Sequence, residues 1–188
     1  MIWSISHRAD DPARQIADRH YNRQSIGTPQ FVPPGRCFVL LAPGALWVTS
    51  WPFAQYVRHA WAGAWVNSCF RRESGPRAKQ MIRDALAATL WYWDTPPIVR
   101  CVACDEMISM VTFIDTTQVR HKPEWAWGIC YQKAGFELCK TRTKGGLAVL
   151  HIGRDRLPHP EAPHGTQMSL SAVYVAEREQ PGLFGDEA

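Results

Sequence analysis

Apolar positions along the chain repeat with two different periods, and the switches between them mark out its elements. Asp10-Asp11-Pro12 offers a carboxylate at a helix cap and a proline in the first turn, where its missing N–H costs nothing. Ala13, Ile16, Ala17 and His20 follow at i, i+3, i+4 and i+7, which predicts a helix ending between Asn22 and Gly27. Residues 28–36 form a proline-rich loop. Residues 37–42, 45–51 and 59–70 read as strands, the first two joined by a hairpin at Pro43-Gly44. Ser74 as cap and Pro76 just inside precede a stripe of Ala78, Met81, Ile82, Ala85, Ala88, Thr89 and Tyr92, a second helix closed by Asp94-Thr95-Pro96-Pro97. Strands are expected at 98–104 and 110–115 and a short helix at 129–134. A second hairpin of 136–143 with 147–152 turns at Lys144-Gly145-Gly146. From Gly153 the texture changes to Arg, Pro, His and Gly, with one further strand read at 172–176. The expected fold class is α+β, a mixed and mostly antiparallel central sheet flanked by helices. Residues 1–152 read as the folded body and 153–188 as a Pro-rich, partly extended tail.

The chain has 188 residues, 46% hydrophobic and 20% charged. That is enough for one domain with a full core, and too apolar for global disorder. The net charge of +4 is unevenly spread: residues 1–152 carry 18 Lys/Arg against 11 Asp/Glu, the rest 3 against 6. A +7 body is compatible with a polyanionic partner, and 16 of the 21 cations are Arg, suited to bidentate contacts with phosphate or carboxylate. The most apolar stretch, 37–57, is broken by Pro43, Gly44 and Pro52, short of the roughly 20 residues a membrane span needs. With no signal-peptide layout at residues 1–11, the expectation is a cytoplasmic protein with no membrane partner. Six scattered cysteines read as free thiols. Cys101-x-x-Cys104 has no second ligand pair at zinc-finger spacing, so the metal content is left unknown.

Tyr131, Gly135 and Phe136, in a Tyr-x-x-x-Gly-Phe run that closes a short helix and opens a strand, resemble the C-terminal motif of GNAT-type acyltransferases. The element order agrees with that fold over about residues 10–152. The resemblance implies an acyl-CoA-like donor gripped at the start of the central helix, which assigns Arg72, Ser74, Gly75 and Arg77 to cofactor binding. Arg77 stands where that family has a small residue, and Pro76 removes one backbone amide. His20-Tyr21, the strand ending Val111-Thr112-Phe113-Ile114-Asp115, and Tyr131 occur in an order that resembles the Mom family of bacteriophage DNA-modification proteins, a divergent GNAT branch. Those proteins convert adenine to a carbamoylmethylated N6 derivative and shield phage DNA from restriction. The resemblance implies His20, Tyr21, Asp115 and Tyr131 as functional residues, a flipped adenine of double-stranded DNA as acceptor, and iron as a further cofactor to test.

Each residue also has a plainer role open to it. His20 on an apolar face is a core histidine or a proton acceptor, with Tyr21 about a third of a turn away. Asp115 is a cap for Thr116-Thr117 or an acceptor, and Tyr131 is packing beside Phe136 or a holder of the leaving group. The adenine N6 amine is conjugated and scarcely nucleophilic, so its proton must be handled in a dry pocket. Among nine tryptophans, Trp125 and Trp127 sit beside Arg120 in a polar loop, where they would stack an extruded base or anchor the loop to the core. Arg36 completes the substrate-binding candidates. Gln180-x-x-Leu183-Phe184 resembles the short peptide by which bacterial replication and repair proteins dock on the sliding clamp; the alternative is a tail folded back on its own domain. Three functions stay open: a DNA adenine N6 group transferase, a conventional GNAT N-acyltransferase of a small amine, and a non-catalytic DNA-associated module.

Overall fold

A computed structural model describes residues 1–52, 60–119, 123 and 126–165. Arg120, Trp125, the strand read at 172–176 and the Gln180, Leu183, Phe184 motif lie outside the described residues.

The elements in chain order are β1 Ser4–Ser6, α1 Asp11–Asp18, β2 Arg36–Ala42, β3 Ala45–Trp51, β4 Trp65–Arg72, α2 Ala78–Trp93, β5 Val99–Cys101, β6 Glu106–Ile108, β7 Met110–Ile114, α3 Ile129–Lys133, β8 Glu137–Leu138 and β9 Ala148–Ile152. One seven-stranded sheet runs β1-β2-β3-β4-β7-β9-β8, and β5-β6 form a separate ribbon. Within the large sheet β4–β7 is parallel and the other pairs are antiparallel. The α+β class expected from the sequence is therefore present, with a mostly antiparallel sheet.

Alternation along each strand sorts the core onto two faces. Phe38, Leu40, Trp47, Trp65, Met110 and Leu150 face α2, meeting its Met81, Ile82, Ala85 and Leu86. On the opposite face Val39, Leu46 and Val48 cover Ala13, Ile16 and Ala17 of α1. Farther along that face Val111, Val149 and Cys139 pack under Cys101 and Ile108 of the ribbon. Trp3 is fully buried, and its indole N–H donates to the Met81 carbonyl at 2.9 Å, tying the N-terminus to α2. Residues 153–165 return across the body: the Glu161 amide donates to the Ala87 carbonyl and the His164 amide to the Trp3 carbonyl. Among the described residues no helix is long and apolar enough to cross a membrane.

Several boundaries differ from the periodicity reading. The first helix stops at Asp18 because the Arg19 and His20 amides turn back onto Ile16 and Ala17 carbonyls in a tight last turn, so His20 leaves the apolar stripe. Ser74 does not cap α2. Its hydroxyl donates to the Pro43 carbonyl at 3.2 Å and its amide to Gly44, pinning the loop to the β2–β3 turn, and Arg77 takes the cap position. β1 and β6 are three residues each, too short to show a period, and the strand read over 136–143 is regular only at Glu137–Leu138, with single backbone bonds from Cys139 to Val149 and from Thr143 to Leu147 continuing the hairpin.

Candidate functional site

β4 and β7 pair through only three positions, Trp65↔Met110, Val66↔Val111 and Asn67↔Thr112, and then separate. Ligands commonly bind beyond the carboxyl ends of parallel strands, where the connections diverge. Here a cleft of about 320 Å³ opens at the fork, with Asn67 to Phe70 on one wall and Thr112 to Ile114 on the other. α3 closes its floor and His20-Tyr21 its rim.

A β-bulge shapes the β4 wall. The partner of Val48 is Cys69 and that of Thr49 is Asn67, so Ser68 is the extra residue. Alternation restarts after it, which sends Phe70 and Arg72 to the face Trp65 and Asn67 occupy. Asn67 holds the bulge closed: its amide Nδ2 donates to the Val48 carbonyl at 3.0 Å and the Cys69 carbonyl at 3.1 Å. Its Oδ1 accepts the Tyr131 hydroxyl at 2.5 Å, with the Thr112 hydroxyl at 3.4 Å. Asn67 and Thr112, each 3% exposed, are site residues the sequence reading missed. The available signal was a polar residue inside each of two apolar strand runs that turn out to be paired in register.

His20, Tyr21 and Tyr131 all line this cleft. The His20 and Tyr21 rings stack with centroids 4.5 Å apart at 26°, which the helix placement had separated. Burial, with the Arg71 guanidinium nearby, brings the His20 imidazole down to about 4, opposed by its contact with the Phe70 carbonyl. The Asn22 amide donates to His20 Nδ1 at 3.2 Å, which fixes a neutral ring with its proton on Nε2. Burial raises Tyr21, partly offset by a backbone contact with Asp115. Tyr131 is buried, and burial, with Cys130 beside it, pushes its phenol well above the usual value, opposed by a hydrogen bond with Thr112. Burial likewise pushes the Cys69 thiol up to about 12, an unreactive sulfur in the wall.

The remaining candidates divide. The Asp115 carboxylate accepts the Thr117 amide at 2.9 Å and hydroxyl at 2.7 Å; these bonds lower its pKa and make it the cap of that turn. It stands beside Tyr21 outside the cleft lining. Arg72 lines the cleft with Ala78 at the start of α2, whose first amides have no intrahelical partner, and this corner suits an anionic group. Ser74 faces Pro43, Gly75 sits at φ +90° against Met81, and Arg77 holds the helix cap position with no side-chain bond there; none of the three lines the cleft. Trp127 packs on the core with Arg142 over its ring at 4.5 Å, the anchoring role; its neighbours Ala126 and Gly128 line the cleft instead. Arg36 stacks on Trp51 at 5.9 Å beside a different surface hollow.

His20, Tyr21, Asp115 and Tyr131 do not make an iron site. The imidazole Nδ1 already accepts an amide, the carboxylate is held by Thr117, and the Tyr131 phenol is locked to Asn67. No family model, no curated protein and no solved structure matches the chain.

Proposed function

We propose that the protein is a GNAT-like group transferase acting on an amine, with adenine N6 of double-stranded DNA as the acceptor. The observation that carries the transferase reading is the meeting of His20, Tyr21 and Tyr131 in one cleft at the fork of β4 and β7. The choice of adenine rests on the resemblance of those residues, in their order, to the Mom family.

The chemistry suits a weak nucleophile. An aromatic amine holds its proton until it bonds the electrophile and then becomes strongly acidic, so a weak base is sufficient once attack begins. Neutral His20, stacked on Tyr21 at the rim, offers a face for a flat ring, and with a pKa of about 4 it becomes such a base once Nδ1 exchanges the Asn22 amide for the acceptor's proton. Tyr21, 41% exposed and protonated at neutral pH, donates a hydrogen bond to the acceptor or to the leaving group. Tyr131 and Asn67 form a rigid floor, a positioning role. Arg72 and the start of α2 hold the anionic part of an acyl-CoA-like donor, which supplies the transferred group when bound.

Plasmid from cells expressing the protein, challenged with restriction endonucleases whose sites contain adenine, tests this: resistance supports it and complete cutting opposes it. The mixed polar and apolar cleft keeps small-amine acyl transfer as the second reading. Calorimetric binding of acetyl-CoA together with unmodified DNA would select that one.

A further inference from the structure

Away from the cleft, the ribbon of β5 and β6 brings together side chains that sequence spacing leaves apart. Cys101 ends β5, a tight turn closed by the Asp105 amide onto the Cys101 carbonyl carries Cys104, and Glu106 begins β6. A Cys-x-x-Cys on a turn between two antiparallel strands presents both sulfurs on one side. The ribbon lies on the sheet face toward which β9 turns Val149 and His151, and His151 is 3% exposed. The Cys104 sulfur, a Glu106 carboxylate oxygen and a His151 ring nitrogen all lie within 4.8 Å of one another. His151 Nε2 stands 3.6 Å from Glu106, too long for a hydrogen bond. The Cys104 thiol is in hydrogen-bond contact with that of Cys101.

We propose that Cys101, Cys104, Glu106 and His151 form a tetrahedral site for a zinc-class divalent ion that fastens the β5–β6 ribbon to β9. Two thiolates, an imidazole and a carboxylate are ligands zinc accepts, and four protein ligands leave no open position, so the ion is structural. Ligands at about 2.0–2.3 Å from a tetrahedral zinc stand roughly 3.3–3.8 Å from one another, so rotamer shifts of about an ångström close Cys104, Glu106 and His151, while the Cys101 sulfur, in contact with Cys104 and outside that group of three, turns farther to complete the set. Because the ribbon grips a strand that pairs with β7, the ion steadies the sheet on the side of the cleft wall without entering the chemistry. Both thiols must lose protons on binding, so the ion is released on acidification.

The test uses the full chain purified without chelator. Elemental analysis should give about one zinc per chain, and replacement by Co²⁺ should give thiolate-to-cobalt charge-transfer absorption with tetrahedral d–d bands. Cys104→Ser should lose both, and Cys37→Ser, remote from the cluster, should keep both. The wild-type cobalt spectrum and the fall in melting temperature on chelation do not depend on any variant folding. Absence of metal with no charge-transfer band in the wild-type protein would overturn the proposal, as would full metal retention by Cys104→Ser.

Discussion

Tyr131→Phe removes one oxygen atom from the middle of the molecule and leaves every apolar contact of the ring in place. The ring meets Phe136 at 5.3 Å, Phe70 at 6.0 Å and Trp47 at 6.5 Å between centroids. What is lost is the 2.5 Å bond to Asn67 Oδ1, which keeps only the long 3.4 Å contact with Thr112. Leaving a buried acceptor largely unsatisfied costs about 1–3 kcal/mol, and the remaining contact places this case near 1.5–2.5 kcal/mol. For a chain of this size that lowers the melting temperature by roughly 3–10 °C. Urea denaturation with an unchanged slope measures it directly. Asn67→Leu should cost more than about 3 kcal/mol, since the Val48 and Cys69 carbonyls and the Tyr131 hydroxyl each lose a short bond, leaving only the long Ser68 contact on Val48 and the Thr112 contact on Tyr131. The double variant should fall short of the sum of the two singles, because both remove the same bond. A loss below about 0.5 kcal/mol for Tyr131→Phe, or strict additivity, would refute the buried network as the floor of the cleft.

Two further predictions concern the rim and α3. His20 has a folded value of about 4 against an ordinary value of 6.5, so as pH falls the unfolded chain takes up the proton first. Stability therefore declines between about pH 6.5 and 4, and His20→Gln should flatten that decline in denaturation curves; an unaltered pH profile, or an NMR titration near 6.5, contradicts the buried neutral ring. Gly128 sits at φ +59°, and a Cβ there would lie 3.0 and 3.1 Å from the Leu150 methyls. Gly128→Ala should lose about 1–3 kcal/mol in thermal unfolding, and a neutral outcome would mean that α3 does not press on β9 as described.

The long elements were legible in the sequence: β2 and β3, buried on both faces, fall at apolar runs either side of the Pro43-Gly44 turn, and α2 falls where the 3.6-residue stripe puts it. Short pieces were not. β1 and β6 owe their strand form to neighbours, pairing with β2 and β5, and three residues carry no period of their own. The cleft was half legible. His20, Tyr21 and Tyr131 came from a resemblance that the cleft accommodates, while Asn67 and Thr112 became visible only once the parallel register set them side by side. The bulge at Ser68 has no local signature, yet it decides that Arg72 faces the cleft. Ser74 was misread as a cap and Trp127 stayed between stacking and anchoring because a polar residue before a helix and a tryptophan near cations each have two physical uses. Tertiary contacts with Pro43 and Arg142 chose between them.

The central claim, group transfer to a DNA base in the cleft between β4 and β7, is tested most directly by nucleoside mass spectrometry of DNA from expressing cells. Wild-type protein should yield a deoxyadenosine species of increased mass. Tyr21→Phe, which keeps the ring stack and removes only the donor hydroxyl at the rim, should yield far less of it while remaining folded. Unmodified deoxyadenosine in cells containing abundant folded wild-type protein, or equal modification by Tyr21→Phe, would contradict the account.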